Sequence, residues 1–217
     1  MKEVEFKVLS SFYPNISVEL NPKTVSKMAN LSYGGAYQTL LALSKMKVLI
    51  RNRIGNYNVY RINPESDLAK GYLLSLSVQK KAELYSIFKL EGEAIGRLIC
   101  RINEKLGPKF HCAVLFGSFA KGEIKRESDI DILFIVGYEI EIKESTELIS
   151  DLCNTKSIEA GRQINPVIVS ISEFNKMLQN PKRNLAHEVF VSGIPAHGAE
   201  NYIEMVMEWI RWKGKSI

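Results

Sequence analysis

The chain has 217 residues, 46% of them hydrophobic, and a formal net charge of +5, which allows one large or two small domains with an ordinary core. No apolar run approaches the ~20 residues of a membrane span and the N-terminus has no signal-peptide pattern, so a cytoplasmic protein without a membrane partner is expected. Cys100, Cys112 and Cys153 show neither CxxC nor Cys/His spacing; this excludes a zinc framework, and the three read as small buried residues. His111, His187 and His197 show no ligand spacing either.

The charge is unevenly spread. Residues 1–65 hold nine Lys/Arg against four Glu, so the whole excess lies there and the remainder is neutral. A basic module joined to a neutral one points to nucleic acid for the first. Val4, Phe6, Val8, Leu9 and Phe12 predict a helix over Glu3–Phe12, closed by Pro14-Asn15. Asn21-Pro22 supplies an N-cap and a proline at the first helical position of a short helix through Val25 and Met28, ending near Asn30. Ser32 caps a third helix, about Tyr33–Met46, in which Ala36, Leu40 and Leu43 recur at i, i+4, i+7 and face the core. Its other face begins with Tyr33, Gly34, Tyr37 and Gln38. Val48–Arg53 and Asn58–Ile62 read as strands around Ile54-Gly55-Asn56-Tyr57, with Gly55-Asn56 suited to positive φ.

Three helices and a hairpin in this order resemble a winged helix-turn-helix over about residues 3–62. The resemblance implies that the third helix enters the major groove of double-stranded DNA by its N-terminal end. Tyr33, Tyr37 and Gln38 would then meet base edges, and Arg51, Arg53 and Arg61 phosphates. A winged helix used for dimerisation or protein contacts is the alternative.

Ile62-Asn63-Pro64-Glu65-Ser66 is a turn cluster. It divides the chain into residues 1–65, a helical connector over 66–106 and a core over 107–217. Leu68–Leu76 reads as a short helix or irregular linker. A long helical pattern follows from about Val78 to Leu106, with Ala82, Tyr85, Phe88, Ile95, Leu98 and Ile102 as its apolar stripe. Gly92 interrupts that stripe, so a kink or a close contact is expected there. The stripe is expected to pack on the following sheet and on a second copy in a homodimer. Gly107-Pro108 ends the helix.

His111–Phe116 is an apolar run of strand length. It stops at Gly117-Ser118, a backbone that a ligand can approach closely. The polar loop Phe119–Glu127 carries Lys121, Lys125 and Arg126 and leads to Ser128-Asp129-Ile130-Asp131 and the apolar run Ile130–Val136. Asp129 and Asp131 are two residues apart, so on an extended strand they point to one side. Paired acids beside a glycine-serine bend suit Mg²⁺, which takes one or two carboxylates and completes its shell with water and phosphate oxygens.

Gly117-Ser118-Phe119-Ala120-Lys121-Gly122, followed by Ser128-Asp129-Ile130-Asp131, resembles the polymerase-beta-type nucleotidyltransferase superfamily in its minimal branch. The resemblance implies an α/β (α+β) core, a mixed sheet flanked by helices, over residues 107–217. It implies a nucleoside triphosphate, ATP in the first instance, bound with Mg²⁺. Asp129 and Asp131 would be the catalytic metal ligands; Gly117, Ser118, Lys121 and Ser128 would lie on the nucleotide. A protein acceptor is one option, beside an RNA end or a small molecule, because some minimal nucleotidyltransferases modify a partner toxin. The family also uses a third carboxylate from a later strand. Ile164–Ile171 is that strand, and Asn165 stands where the acid belongs; Glu159 or Glu173 could replace it under a shifted alignment.

Helices are expected over Glu144–Asn154, with Leu148, Ile149 and Leu152 buried, and over Ser172–Leu178, Asn184–Val191 and Asn201–Trp212, with a turn at Val191–Ala196. Two functions stay open. One is an enzyme that transfers a nucleotidyl group; the other is a DNA-binding regulator whose degenerate transferase domain serves as nucleotide sensor or dimerisation module.

Overall fold

The computed structural model describes residues 2–123, 125, 128–137 and 142–215. The chain forms two compact units, Met1–Leu76 with Val206–Ile217, and Ser77–Met205.

The smaller unit starts with α1 (Glu3–Ser10), α2 (Pro22–Met28) and α3 (Tyr33–Lys45), followed by the antiparallel hairpin of β1 (Leu49–Ile54) and β2 (Tyr57–Ile62). The helix starts form for the expected reasons. Asn21 Oδ1 accepts from the Thr24 amide at 2.9 Å and Ser32 Oγ from the Gly35 amide at 3.1 Å, each satisfying a first-turn donor. Ala36, Leu40 and Leu43 are fully buried with Val8, Phe12, Val25 and Tyr60. Gly55 takes a positive φ of 57°, whereas Asn56 does not share it. Leu20 adds a bridge to Tyr60, exchanging both backbone bonds with it. Toward the C-terminus, Arg211 donates to the Pro64 carbonyl from Nε at 2.9 Å and Nη2 at 2.7 Å, so the last stretch of the chain ties down the turn cluster.

Of the two readings of Leu68–Leu76, the structure gives the helix, as part of a longer one. α4 runs unbroken over Asp67–Ile87, and α5 covers Lys89–Leu106. The break falls at Phe88, with φ −113° and ψ 69°, not at Gly92. Gly92 makes the close contact: a Cβ there would stand 2.8 Å from Tyr85 Cγ. Because the helix restarts, the stripe loses phase across Phe88; Ala82 is exposed and Leu84 is buried in its place.

In the larger unit, a four-stranded sheet among the described residues has the order β5-β4-β3-β6. β3 (Phe110–Phe116) pairs antiparallel with β4 (Ile130–Val136) and with β6 (Ile194–His197); β4 pairs parallel with β5 (Ile164–Ser170). A parallel pair needs a crossover, and α7 (Ile142–Ala160) supplies it. β3 and β4 are buried along nearly their whole length because both faces are covered. Ala113, Leu115, Ile130, Ile132 and Phe134 face Ile95, Leu98 and Ile102 of α5 and Ile149 of α7 in one core. α8 (Ile171–Gln179) and α9 (Leu185–Ser192) complete the packing, α9 against β3 and against the four-residue helix α6 (Gly117–Ala120). The chain then enters α10 (Ala199–Lys215).

Two sequence expectations do not hold. Val191–Ala196 is not a turn throughout, since Ile194–His197 is an edge strand; Pro195 is tolerated because an edge leaves one side of the ladder unused. Cys100 is exposed, while Cys112 and Cys153 are fully buried, and burial pushes the Cys153 thiol up to about 12. His197 packs by stacking on Phe110, ring centroids 4.5 Å apart.

Candidate active site

The site is made where β3 ends. Phe116 is the register partner of Asp131, so strand pairing alone brings the Gly117 bend beside that carboxylate. Gly117 has φ +68°, and a Cβ on it would stand 2.5 Å from Asp131 Oδ2. Glycine is required twice over, for the backbone conformation and for the approach of the acid. From Gly117 the chain winds into α6, held down by the fully buried Phe119, whose ring lies 5.4 Å from that of Phe88. The Ser118 carbonyl accepts from the Glu123 amide at 3.0 Å, and Gly122 turns the chain with φ +71°.

Asp129 and Asp131 share the strand face opposite Ile130 and Ile132, so they point away from the α5–α7 core. Asp129 is exposed and Asp131 half-buried. Asn165 is the β5 register partner of Asp131, and its Nδ2 donates to Asp129 Oδ2 at 3.0 Å. The amide therefore occupies the place anticipated for a third acid. Burial raises the Asp131 carboxyl above the ordinary range; an Asn165 hydrogen bond opposes the rise, and the charges of Asp129 and of Glu188 on α9 add to it. No local pattern in the sequence signals Glu188, which lies 57 residues beyond Asp131.

This donor set fits a magnesium ion. Two carboxylates on one face repel each other, and a divalent cation relieves that repulsion. Among the described residues no group of three or more His, Cys, Asp or Glu is placed to hold a metal. Ser128 makes a local turn: its Oγ accepts from the Lys125 amide at 2.9 Å and its amide donates to the Lys125 carbonyl at 3.1 Å. Lys121 and Lys125 are exposed; Arg126 lies outside the described residues. Glu159 is engaged by Lys156 and by Arg97, the latter at 2.9 Å, and Glu173 lies in the first turn of α8.

In the smaller unit, Tyr33 is 58% exposed and its ring runs parallel to that of Tyr37, centroids 6.2 Å apart. Gln38 is exposed. A cleft of about 250 Å³ lies between the start of α3 and the hairpin, lined in part by Lys23, Tyr33 and Tyr57. Arg51 is exposed and donates to Asn58 Oδ1 from Nε at 3.1 Å and Nη2 at 3.0 Å; Arg53 Nε donates to the Gly55 carbonyl at 3.1 Å. Arg61 is half-buried, with Nε 3.8 Å from Glu19 Oε1.

A mixed sheet flanked by helices, with a glycine bend abutting paired aspartates, is the architecture of a nucleotidyltransferase. Residues 99–193 match the family model described as Polymerase beta, Nucleotidyltransferase. Over 88 residues the chain is 31% identical to the "Putative protein adenylyltransferase" of Methanocaldococcus jannaschii, covering 41% of this chain and 82% of that protein. The chain belongs to the polymerase beta nucleotidyltransferase family. Among solved structures, a toxin-antitoxin with AMP-PNP aligns with 56% of this chain and 87% of its own, at 19% identity and a TM-score of 0.36. No helix among the described residues is long and apolar enough to cross a membrane.

Proposed function

We propose that the larger unit binds a nucleoside triphosphate, ATP, with magnesium and transfers its nucleotidyl group to an acceptor hydroxyl: the hydroxyl gives up its proton as the new phosphoester forms, the α–β phosphoanhydride bond breaks and pyrophosphate leaves. The observation that carries this reading is the meeting of Gly117, Asp129 and Asp131 at one end of the sheet, within the span that matches the family. Asp129 and Asp131 hold the metal. The Gly117 amide and the Ser118 hydroxyl orient the phosphates, and Lys121 neutralises part of their charge. When bound, the metal supplies Lewis-acid stabilisation of the charge on the transferred phosphorus centre. A protein is the favoured acceptor, because the Methanocaldococcus relative carries the name of a protein adenylyltransferase. Residues 1–65 serve as a winged helix on double-stranded DNA, with Tyr33, Tyr37 and Gln38 toward base edges and Arg51, Arg53 and Arg61 toward phosphates. The protein works in the cytoplasm as a homodimer.

A second reading has its own support. Asn165 is a neutral amide that cannot take a proton, and it uses one acceptor position of Asp129. On that reading the site binds nucleotide without transfer and informs a DNA-binding regulator. Incubation with α-labelled ATP, Mg²⁺ and cell extract separates the two. Transfer predicts label on a protein band, reduced by about 10²–10³-fold in Asp129→Ala and Asp131→Ala. Nucleotide retained on the protein with no label transferred is the outcome that rejects the enzyme and leaves the sensor.

A further inference from the structure

Asp129 is an exposed residue at the head of a strand, yet the backbone on both sides of it is fixed, and one short segment of β5 and its lead-in does the fixing. On the far side, the Ile130 amide donates to the Gln163 carbonyl at 2.8 Å. At the side chain, Asn165 donates to the carboxylate. On the near side, Arg162 Nη1 donates to the Ser128 carbonyl at 3.1 Å and to the Lys125 carbonyl at 2.8 Å. Residues 162, 163 and 165 thus hold 128, 130 and 129 from one piece of chain. Arg162 is aimed by Glu91 in the first turn of α5, Nε to Oε1 at 2.8 Å, and both side chains are largely buried, 17% and 13% exposed.

An arginine is suited to this place because its planar fork serves a carboxylate and two carbonyls at once, whereas a lysine ammonium is a single point of attachment on a flexible stem. The Lys125 carbonyl is a shared acceptor, since the Ser128 amide also donates to it. Losing the fork therefore loosens the bonds that precede Asp129, while Glu91 only sets where the fork points.

We propose that Arg162 is a positioning residue for the nucleotide site, bracing the backbone at Ser128 so that Asp129 meets the metal-bound triphosphate in a fixed orientation. The proposal rests on the nucleotide-binding reading above for its consequence, but the brace itself can be measured without nucleotide. Two experiments on the full chain decide it. The first is calorimetric titration with Mg²⁺ and the β,γ-imido analogue of ATP. The second is amide hydrogen exchange at Ser128 and Ile130 in the free protein.

Wild type is expected to bind the analogue and Asp129→Ala to lose it. Arg162→Ala and Arg162→Lys are expected to bind about tenfold more weakly, the range seen when residues that orient metal ligands are removed. Glu91→Gln, which breaks the ion pair and leaves the carbonyl contacts, stays within about threefold of wild type although it melts earlier. A merely structural role gives a different pattern: Glu91→Gln and Arg162→Ala would lose affinity together, in step with their melting temperatures, and that result overturns the proposal. So does wild-type affinity in Arg162→Lys. If wild type fails to bind the analogue, the nucleotide reading falls, and exchange alone judges the brace. Faster exchange at Ser128 and Ile130 in Arg162→Lys but not in Glu91→Gln upholds it; unchanged exchange in both overturns it.

Discussion

The two units present their candidate residues in opposite ways. In the larger unit the acids are placed by strand register: Asp131 opposite Phe116, Asn165 beside Asp131, and Gly117 against the carboxylate. Moving Asp131 or the Gly117 bend means moving a strand buried along nearly its whole length. In the smaller unit the candidates are side chains on the outside of a helix and a hairpin, and the arginines of the hairpin are held by local bonds such as Arg53 to the Gly55 carbonyl and Arg51 to Asn58 Oδ1. A fixed arrangement suits chemistry that depends on sub-ångström placement, while long side chains with local tethers suit a deformable polymer surface. Substitutions in the first group should therefore act sharply and locally, and those in the second weakly and in proportion to charge.

The strongest test of that contrast is Gly117→Ala. The new side chain meets Asp131 Oδ2 and must also accept φ +68°. A loss of about 1–3 kcal/mol in urea unfolding is expected, together with loss of affinity for the Mg²⁺–nucleotide analogue. Wild-type stability would mean that the bend and the acid are not held together as described.

Asp131→Asn sharpens the comparison by separating stability from binding. The folded-state carboxyl sits above the ordinary value of 3.8 because burial and neighbouring acids disfavour its charge. A raised acid contributes stability in acid that is lost as pH rises through its folded-state pKa. The asparagine variant should therefore melt later than metal-free wild type near neutrality, and the gap should close as the pH falls below 3.8. Added Mg²⁺ and nucleotide should stabilise wild type and leave the variant where it was. Thermal melts at a series of pH values check both statements.

The smallest expected effects lie in the hairpin. Arg51→Ala or Arg53→Ala should weaken duplex DNA binding across all sequences and lower the slope of log affinity against log salt by about 0.9 each. Arg61→Ala should change it less, because Glu19 already lies near its guanidinium. Fluorescence anisotropy across a salt series reads all three, and a sequence-dependent loss at Arg51 would show that the hairpin reads bases.

Much of the site was legible because it is written in short runs. The bend, the acid pair and the apolar strands around them are contiguous, and their spacing constrains where the chain can go. Asn165 is found through the family resemblance, which implies a third carboxylate on a later strand. What escaped the sequence is what depends on distant partners. Arg162 and Glu91 lie 71 positions apart, and no periodicity links them. Glu188 reaches the field of Asp131 from a helix near the C-terminal side of the fold. β6 has four residues and a proline, too short for alternation to register. Gly92 leaves a kink or a close contact open in the sequence, and the structure makes it the close contact, with room for Tyr85; the break at Phe88 has no glycine or proline to mark it.

The smaller unit is built from two stretches far apart in sequence, residues 1–76 and 206–217. A ribosome delivers the first of these pieces well before the second, by on the order of ten seconds at ordinary elongation rates. During that interval Pro64 waits for Arg211, so the basic module is finished only after the family core has been synthesised. A transplant of this module onto another protein would have to carry the terminal helical segment with it, and a nascent chain stalled before Val206 would display the module incomplete.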